Sequence, residues 1–174
     1  MPETPQQYTA RIMNNLTGLE PMKVLAATPK KIESLFKRAT PAKLKKRPAP
    51  GKWSAAEIVA HLADAEIVIG YRVRAILGAP GTLIQAFDQD SWAEAGHYAH
   101  RNPRQSLGQL RALREANLAL YKSLTPEQWK HYGMHSERGQ ESVEHIARMM
   151  AGHDLNHLHQ IEQILVTKKL SHKQ

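Results

Sequence analysis

The sequence predicts an all-α protein, a four-helix bundle, and three observations carry that expectation. Four long stretches repeat apolar residues at helical spacing. Residues with N-cap or first-turn preferences stand at several helix starts. No stretch shows a convincing strand pattern, so no strand is expected. With 174 residues, the chain is long enough for one real core, and a single domain of residues 28–174 is expected behind an irregular N-terminal arm, residues 1–27.

Taken in order, the arm is weakly patterned, with at most a helical turn through Tyr8 to Leu16. Thr28-Pro29 reads as N-cap and first residue of a helix whose apolar positions are Ile32, Leu35 and Phe36. Thr40-Pro41 restarts the chain, and Pro48-Ala49-Pro50-Gly51 breaks it. Ser54-Ala55-Ala56-Glu57 is a capping box, with Trp53 and Ile58 placed as a hydrophobic staple. The stripe Ile58, Leu62, Ala65, Ile69, Val73 and Ile76 then runs to a stop at Gly78-Ala79-Pro80-Gly81. Residues 79–102 form a long crossover between the second and third helices, a length that is usually functional or crosses a fold. Asn102-Pro103 opens the third helix, which carries Leu107, Leu110, Leu113, Leu120 and Leu124, and one polar residue on that face, Asn117. Thr125-Pro126 starts a short segment, and residues 131–140 are polar with two glycines. The last helix is expected from Glu141 to Lys168, with Lys168 and Lys169 suiting its C-terminal dipole. One long connection among short ones implies that at least one neighbouring pair is parallel.

Composition excludes several function classes. The chain contains no cysteine, which removes disulfides, thiolate metal sites and a cysteine nucleophile, and fits a reducing compartment. No apolar run approaches a membrane span, and the first residues lack the apolar core of a signal peptide, so a soluble, cytoplasmic protein is expected. The formal charge of +8 raises the question of nucleic acid. The cations are dispersed, however, and the densest run, Lys43, Lys45, Lys46 and Arg47, leads into prolines like a solvated turn. It matches no DNA-binding motif, so a small-molecule partner is expected rather than nucleic acid or membrane.

Histidines carry the chemistry. His153 and His157 stand one turn apart in the last helix, a spacing at which two imidazoles can share one divalent ion. The spacing alone is weak evidence: with 10 histidines, about 0.6 such pairs arise by chance. A second pair, His131 and His135, has Gly133 between them in a loop-like segment. His153 and His157 differ in continuing the stripe Val143, Ile146, Met150, Ile161 and Ile164 toward the core. The plain alternative is a pair of hydrogen-bonded core histidines. In a bundle the second helix would bring His61 to them, and three neutral imidazoles with an open position describe a catalytic-type site. Asp64 and Gln160, each one turn from a ligand, are candidates to orient the imidazoles, against a plain reading as solvated side chains. His159 points elsewhere, and His145 is a surface or pocket residue.

The second helix, Trp53-Ser54-Ala55-Ala56-Glu57-Ile58-Val59-Ala60-His61-Leu62-Ala63-Asp64-Ala65-Glu66, resembles a signature of the DinB-like (YfiT-like) metalloenzyme superfamily. His153-Asp154 through His157-Leu158 and Gln160-Ile161 is similar to its last-helix signature, and Phe87-Asp88-Gln89-Asp90-Ser91-Trp92-Ala93 to its crossover. The resemblance covers most of the chain after about residue 28. It implies an up-down-down-up topology and a metal triad of His61, His153 and His157. It implies one divalent ion, zinc or nickel, both of which suit imidazole, and a homodimer, since relatives are often dimers. Some relatives are metal-dependent thiol transferases, which implies a low-molecular-weight thiol as cosubstrate.

The expected function is therefore metal-dependent transfer of a thiol to a small electrophile. A metal-dependent hydrolase, a non-catalytic metal- or ligand-binding bundle and a basic nucleic-acid module are the alternatives. Arg72, Arg74 and Arg101 are candidates for the carboxylates of such a thiol, though surface cations are the commoner case. Trp53, Trp92 and Phe87 are candidates to line a pocket, though aromatics in a small bundle are more often core.

Overall fold

A computed structural model describes residues 3–166. Four long helices form the bundle: α2 (Pro21–Lys37), α4 (Ala55–Gly78), α6 (Pro103–Ser123) and α8 (Val143–Val166). Shorter helices α1 (Pro5–Asn14), α3 (Pro41–Lys45), α5 (Gln89–Ala95) and α7 (Pro126–Lys130) decorate it. Around the bundle the order is α2, α8, α4, α6. Two apolar layers show the direction of each helix. One layer joins Leu25, Ile69, Ile76, Tyr121, Val143 and Ile146. The other joins Ile32, Phe36, Ile58, Leu62, Leu107, Leu110 and Ile161. Helices α2 and α8 pass from the first layer to the second, whereas α4 and α6 pass from the second to the first. The topology is thus up-down-down-up, with α4 and α6 as parallel neighbours that need the long crossover.

The N-terminal stretch is more ordered than its sequence suggests. Residues 5–14 form α1 behind a complete capping box, Thr4 with Gln7, and bury Ile12 against α8. A Cβ on Gly152 would collide with the carbonyl oxygen of Ile12, so glycine is what lets the two backbones approach. Helix α2 starts at Pro21, with Pro29 inside it rather than at its first turn. A proline at this position removes the donor for the carbonyl four residues back. That carbonyl, Leu25 O, accepts instead from Arg114 Nη1 at 2.7 Å. A tertiary hydrogen bond therefore replaces the missing helical one, and Thr28-Pro29 does not mark a boundary.

A small sheet also corrects the expectation of no strands. Strands β1 (Leu83–Ile84), β2 (Tyr132–His135) and β3 (Gly139–Ser142) pair in that order, β1 parallel to β2 and β2 antiparallel to β3. Its periodicity is inverted in residue type. The buried positions of β2 are Gly133 and His135, and the exposed ones are Tyr132 and Met134. Gly133 is bare because Ile84 packs where its Cβ would stand. From β3 the chain turns directly into α8, whose first turn is capped by Ser142 Oγ accepting from His145 N at 3.0 Å. Lys168 and Lys169, expected to close that helix, lie outside the described residues.

Between the two apolar layers lies a polar band. Arg114 is buried and holds Asp154 through both terminal nitrogens (2.6 and 3.0 Å) and Glu66 at 2.9 Å. Asn117, the polar residue on the apolar face of α6, donates to Glu66 Oε2 and Glu66 O, each at 3.0 Å. Burial disfavours the Arg114 charge, but Asp154 and Glu66 outweigh it and raise its pKa above the usual arginine value. Taking the cation away would leave two buried carboxylates without it. Arg114→Ala is expected to lose about 3–5 kcal/mol of stability, the typical cost of breaking a buried ion pair, in urea unfolding monitored by helix signal. A loss below about 1 kcal/mol, within the range of a surface pair, would refute this role.

Candidate metal centre

His61 stands two turns into α4. The helix start is fixed by the predicted capping box: Glu57 N donates to Ser54 Oγ at 3.3 Å, and Ser54 N to Glu57 Oε2 at 2.8 Å. Arg47 forms an ion pair with the same Glu57. On α8, His153 and His157 face inward and both are buried. The three Nε2 atoms converge: His61 to His153 is 3.0 Å, and His157 to His153 is 3.1 Å. Three neutral donors around one tetrahedral ion, each roughly 2.0–2.1 Å from it, would stand roughly 3.3 Å apart. The observed spacing is close to that edge, and among the described residues this trio is the cluster of metal-ligand type.

The electrostatics suit the same purpose. Burial lowers the pKa of His61 to about 3, with His157 adding to the effect, and that of His157 to about 4. His153 lies well below the ordinary histidine value, again chiefly through burial. All three are therefore neutral at pH 7, the protonation state that ligates. Gln160 Oε1 lies 2.8 Å from His157 Nδ1. An amide oxygen only accepts, so His157 carries its proton there and turns a bare Nε2 to the cluster. The Nδ1 atoms of His61 and His153 are buried with no partner among the described residues. An ion at the three Nε2 atoms would fix both rings with Nδ1 protonated, so the donor set fits one divalent metal.

Two cavities reach the cluster. One of ≈ 210 Å³ has His61, His153, Tyr8, Arg72, Phe87 and Arg138 in its wall. The other, ≈ 580 Å³, opens on His157 between Trp53, Ile58, Asp90 and Gln160. Gln89 at the start of α5 borders both. Phe87 lies nearly parallel to His61, ring centroids 6.5 Å apart, and Trp53 stands 5.0 Å from it on another side.

Other candidates from the sequence stand apart from the cluster. Asp64 does not hold an imidazole: it accepts from Tyr98 Oη at 2.8 Å and Arg101 Nη1 at 2.9 Å, and so anchors the crossover to α4. Arg101 is committed to that pair and to Gly96 O, and Arg74 to Gly70 O and Asn117. Trp92 packs on Phe87, 5.3 Å between centroids, in the outer wall of a neighbouring groove. His159 is exposed beside Gln163, and His135 is buried in β2. Tyr8, Gln89 and Arg138 escaped the sequence reading. Tyr8 lay in a stretch taken as irregular, and Arg138 in one taken as a polar loop. The turn expected through Tyr8 to Leu16 and the capping pair Thr4 and Gln7 were the signals that Tyr8 sits on a helix.

The sequence profile of the DinB superfamily matches residues 25–161. The chain belongs to the DinB superfamily. Three named relatives agree with it. "Putative metal-dependent hydrolase YfiT" of Bacillus subtilis is 24% identical over 82% of this chain and 81% of its own. Two proteins of Oceanobacillus iheyensis carry the same description. One is 28% identical over 64% of each chain, and the other 26% identical over 68% of each. This chain therefore spans a little under two thirds of the first of those two. The solved structure of Bacillus subtilis YfiT, titled a probable metal-dependent hydrolase with an unusual four-helix bundle topology, superposes with a TM-score of 0.77 at 24% identity. It covers 83% of both chains and shows that the fold is shared.

The depressed histidines make a pH prediction for metal-free protein. Below the ordinary value of 6.5 the unfolded chain takes up protons that the folded chain refuses, so stability is full above that value and falls as pH drops toward 4. Chemical denaturation at steps between pH 7 and pH 5 is expected to show this slope, and His61→Leu to flatten it. An unchanged slope in His61→Leu would mean that His61 is not buried as described.

Proposed function

We propose that His61, His153 and His157 hold one divalent metal ion and that the protein is a metal-dependent hydrolase of a small molecule. The observation that supports this reading best is the convergence of three buried, neutral Nε2 atoms beside two cavities. The family and the names of its relatives point the same way. Three protein ligands leave a coordination position open, as in catalytic rather than structural zinc sites. Zinc is the first choice and nickel the second.

When bound, such an ion supplies a water of lowered pKa and polarises the group to be cleaved. The chain's own residues do the rest. Gln160 fixes the His157 tautomer. Phe87 and Trp53 flank His61 and limit its exposure to solvent. The overall change would be addition of water across the scissile bond, its oxygen to the electrophilic atom and its second proton to the leaving group. Thiol transfer would use the same open position, with a thiolate in place of water, and it is the competing outcome of the assay below.

Protein purified without added metal is expected to carry about one divalent ion per chain by elemental analysis. His61→Ala, His153→Ala and His157→Ala should each weaken binding by at least an order of magnitude, because a two-ligand site is left open to water. His159→Ala should leave it unchanged. Loaded protein is then offered small esters, amides and phosphoesters, and in parallel an electrophile with a low-molecular-weight thiol. Hydrolysis lost with the metal supports the proposal, and conjugation without hydrolysis replaces it with transfer. Wild-type affinity in all three alanine variants would refute the triad.

A further inference from the structure

Arg72 is a buried cation that the fold does not neutralise. Its side chain is 5% exposed, and arginine is rarely buried to that degree unless paired. Yet among the described residues its one hydrogen bond runs from Nη2 to the carbonyl oxygen of Gln85. Among the described residues no carboxylate lies within ion-pair distance of it, in contrast to Arg114, Arg101 and Arg138. Nε and Nη1 have no acceptor among the described residues, and neither is sealed inside the protein. The group borders the ≈ 210 Å³ cavity that also contains His61 and His153. Its guanidinium carbon lies 5.9 Å from the ring centroid of Phe87, which also neighbours His61 at 6.5 Å and Trp92 at 5.3 Å. Burial lowers the Arg72 pKa to about 10, Arg138 adds to that effect, and the more distant Glu141 and Glu137 oppose it without cancelling it, so the group stays cationic at neutral pH.

A buried charge of this kind is costly unless something pairs with it. Arg72 also lines the ≈ 640 Å³ groove of Phe87 and Trp92, but His61 and His153 border the smaller cavity and not that groove, so the smaller cavity is the side from which a substrate of the metal centre reaches it. We propose that the substrate of the metal centre carries a carboxylate, which Arg72 binds while an apolar spacer crosses the face of Phe87 toward the three histidines. This rests on the metal-centre reading. Nη2 gives one hydrogen to Gln85 O and keeps a second, so Nη2 with an adjacent free nitrogen presents one edge of the planar guanidinium to the two oxygens of a carboxylate. A dianion such as phosphate fits less well. Arg138 in the same wall is already neutralised by Glu141 (2.6 and 3.1 Å), and the exposed Glu137 stands at the rim. The cavity lies below the roughly 300–1,000 Å³ of sites for drug-sized ligands, so the acid is small. The floor between the two ends is Ala65 and Ile69, which suits a hydrocarbon spacer.

The probes are pentanoate, its neutral counterpart pentanamide, and inorganic phosphate. Each is titrated calorimetrically into zinc-loaded and metal-free protein. Pentanoate is expected to bind at least tenfold more tightly than pentanamide, and more tightly than phosphate. Arg72→Met should reduce pentanoate affinity at least tenfold, keep the wild-type zinc stoichiometry and melt no lower than wild type, because it replaces an uncompensated charge by an apolar chain. Arg72→Lys, which keeps the charge without the fork, should recover part of the affinity. If Arg72→Met does not fold, the lysine variant and the acid-against-amide comparison decide. Equal binding of acid and amide, preference for phosphate, or wild-type pentanoate affinity in the variants would each overturn the proposal. So would a lower melting temperature with unchanged anion affinity, which would make Arg72 a tether for Gln85. Failure of zinc to bind while Arg72-dependent pentanoate binding persists would remove the metal centre and leave this site standing.

Discussion

The guanidinium of Arg114 touches all four bundle helices. It belongs to α6, caps the carbonyl of Leu25 on α2, and pairs with Glu66 on α4 and Asp154 on α8. Desolvating one cation and two acids is expensive, and such an arrangement holds only when nearly every donor is used. Here Nε alone lacks a partner. The histidine cluster depends on this node through the chain itself. Asp154 follows His153 directly, and Glu66 lies five residues beyond His61. Fixing the two acids against one planar cation fixes the rotation and height of α4 relative to α8, and with them the meeting point of the three imidazoles.

The same node explains what the sequence concealed. The capping box at Ser54 and the pair His153 and His157 are local patterns, written within a few residues, and they could be read directly. Pro29 looked like the start of a helix because the residue that rescues it, Arg114, is 85 positions away, beyond the reach of any local rule. Arg114 itself carries no local mark of burial. Asn117 was the one local sign of a buried polar layer, since an amide on an apolar face needs a partner. The hairpin was hidden because its inward positions are glycine and histidine, so the usual alternation of residue type is absent. Asp64 was misjudged for the opposite reason. It lies where an imidazole partner would be expected, one turn from His61, but its acceptors are spent on Tyr98 and Arg101.

That use of Asp64 has its own significance. The crossover from α4 to α6 is long because the two helices are parallel, and a long connection must be pinned to be useful. Asp64 and Tyr98 pin its far end, and the pairing of β1 with β2 holds the near end. Asp88 Oδ1 caps α5 by accepting from Asp90 N and Ser91 N (2.9 and 3.2 Å). The segment between these anchors carries Phe87 and Gln89 to the mouth of the site. Residues that look like ordinary loop chemistry thus shape both approaches to the histidines.

The histidine cluster also has a consequence for how the protein is made. His61 and His153 are 92 positions apart, and two of the three converging nitrogens lie on the final helix. A nascent chain still lacking α8 owns a single imidazole of the three, which is no better a chelator than any isolated histidine. An interrupted translation product therefore lacks two of the three ligands of the proposed centre. Ion binding at the centre proposed above would thus wait on completion of the bundle.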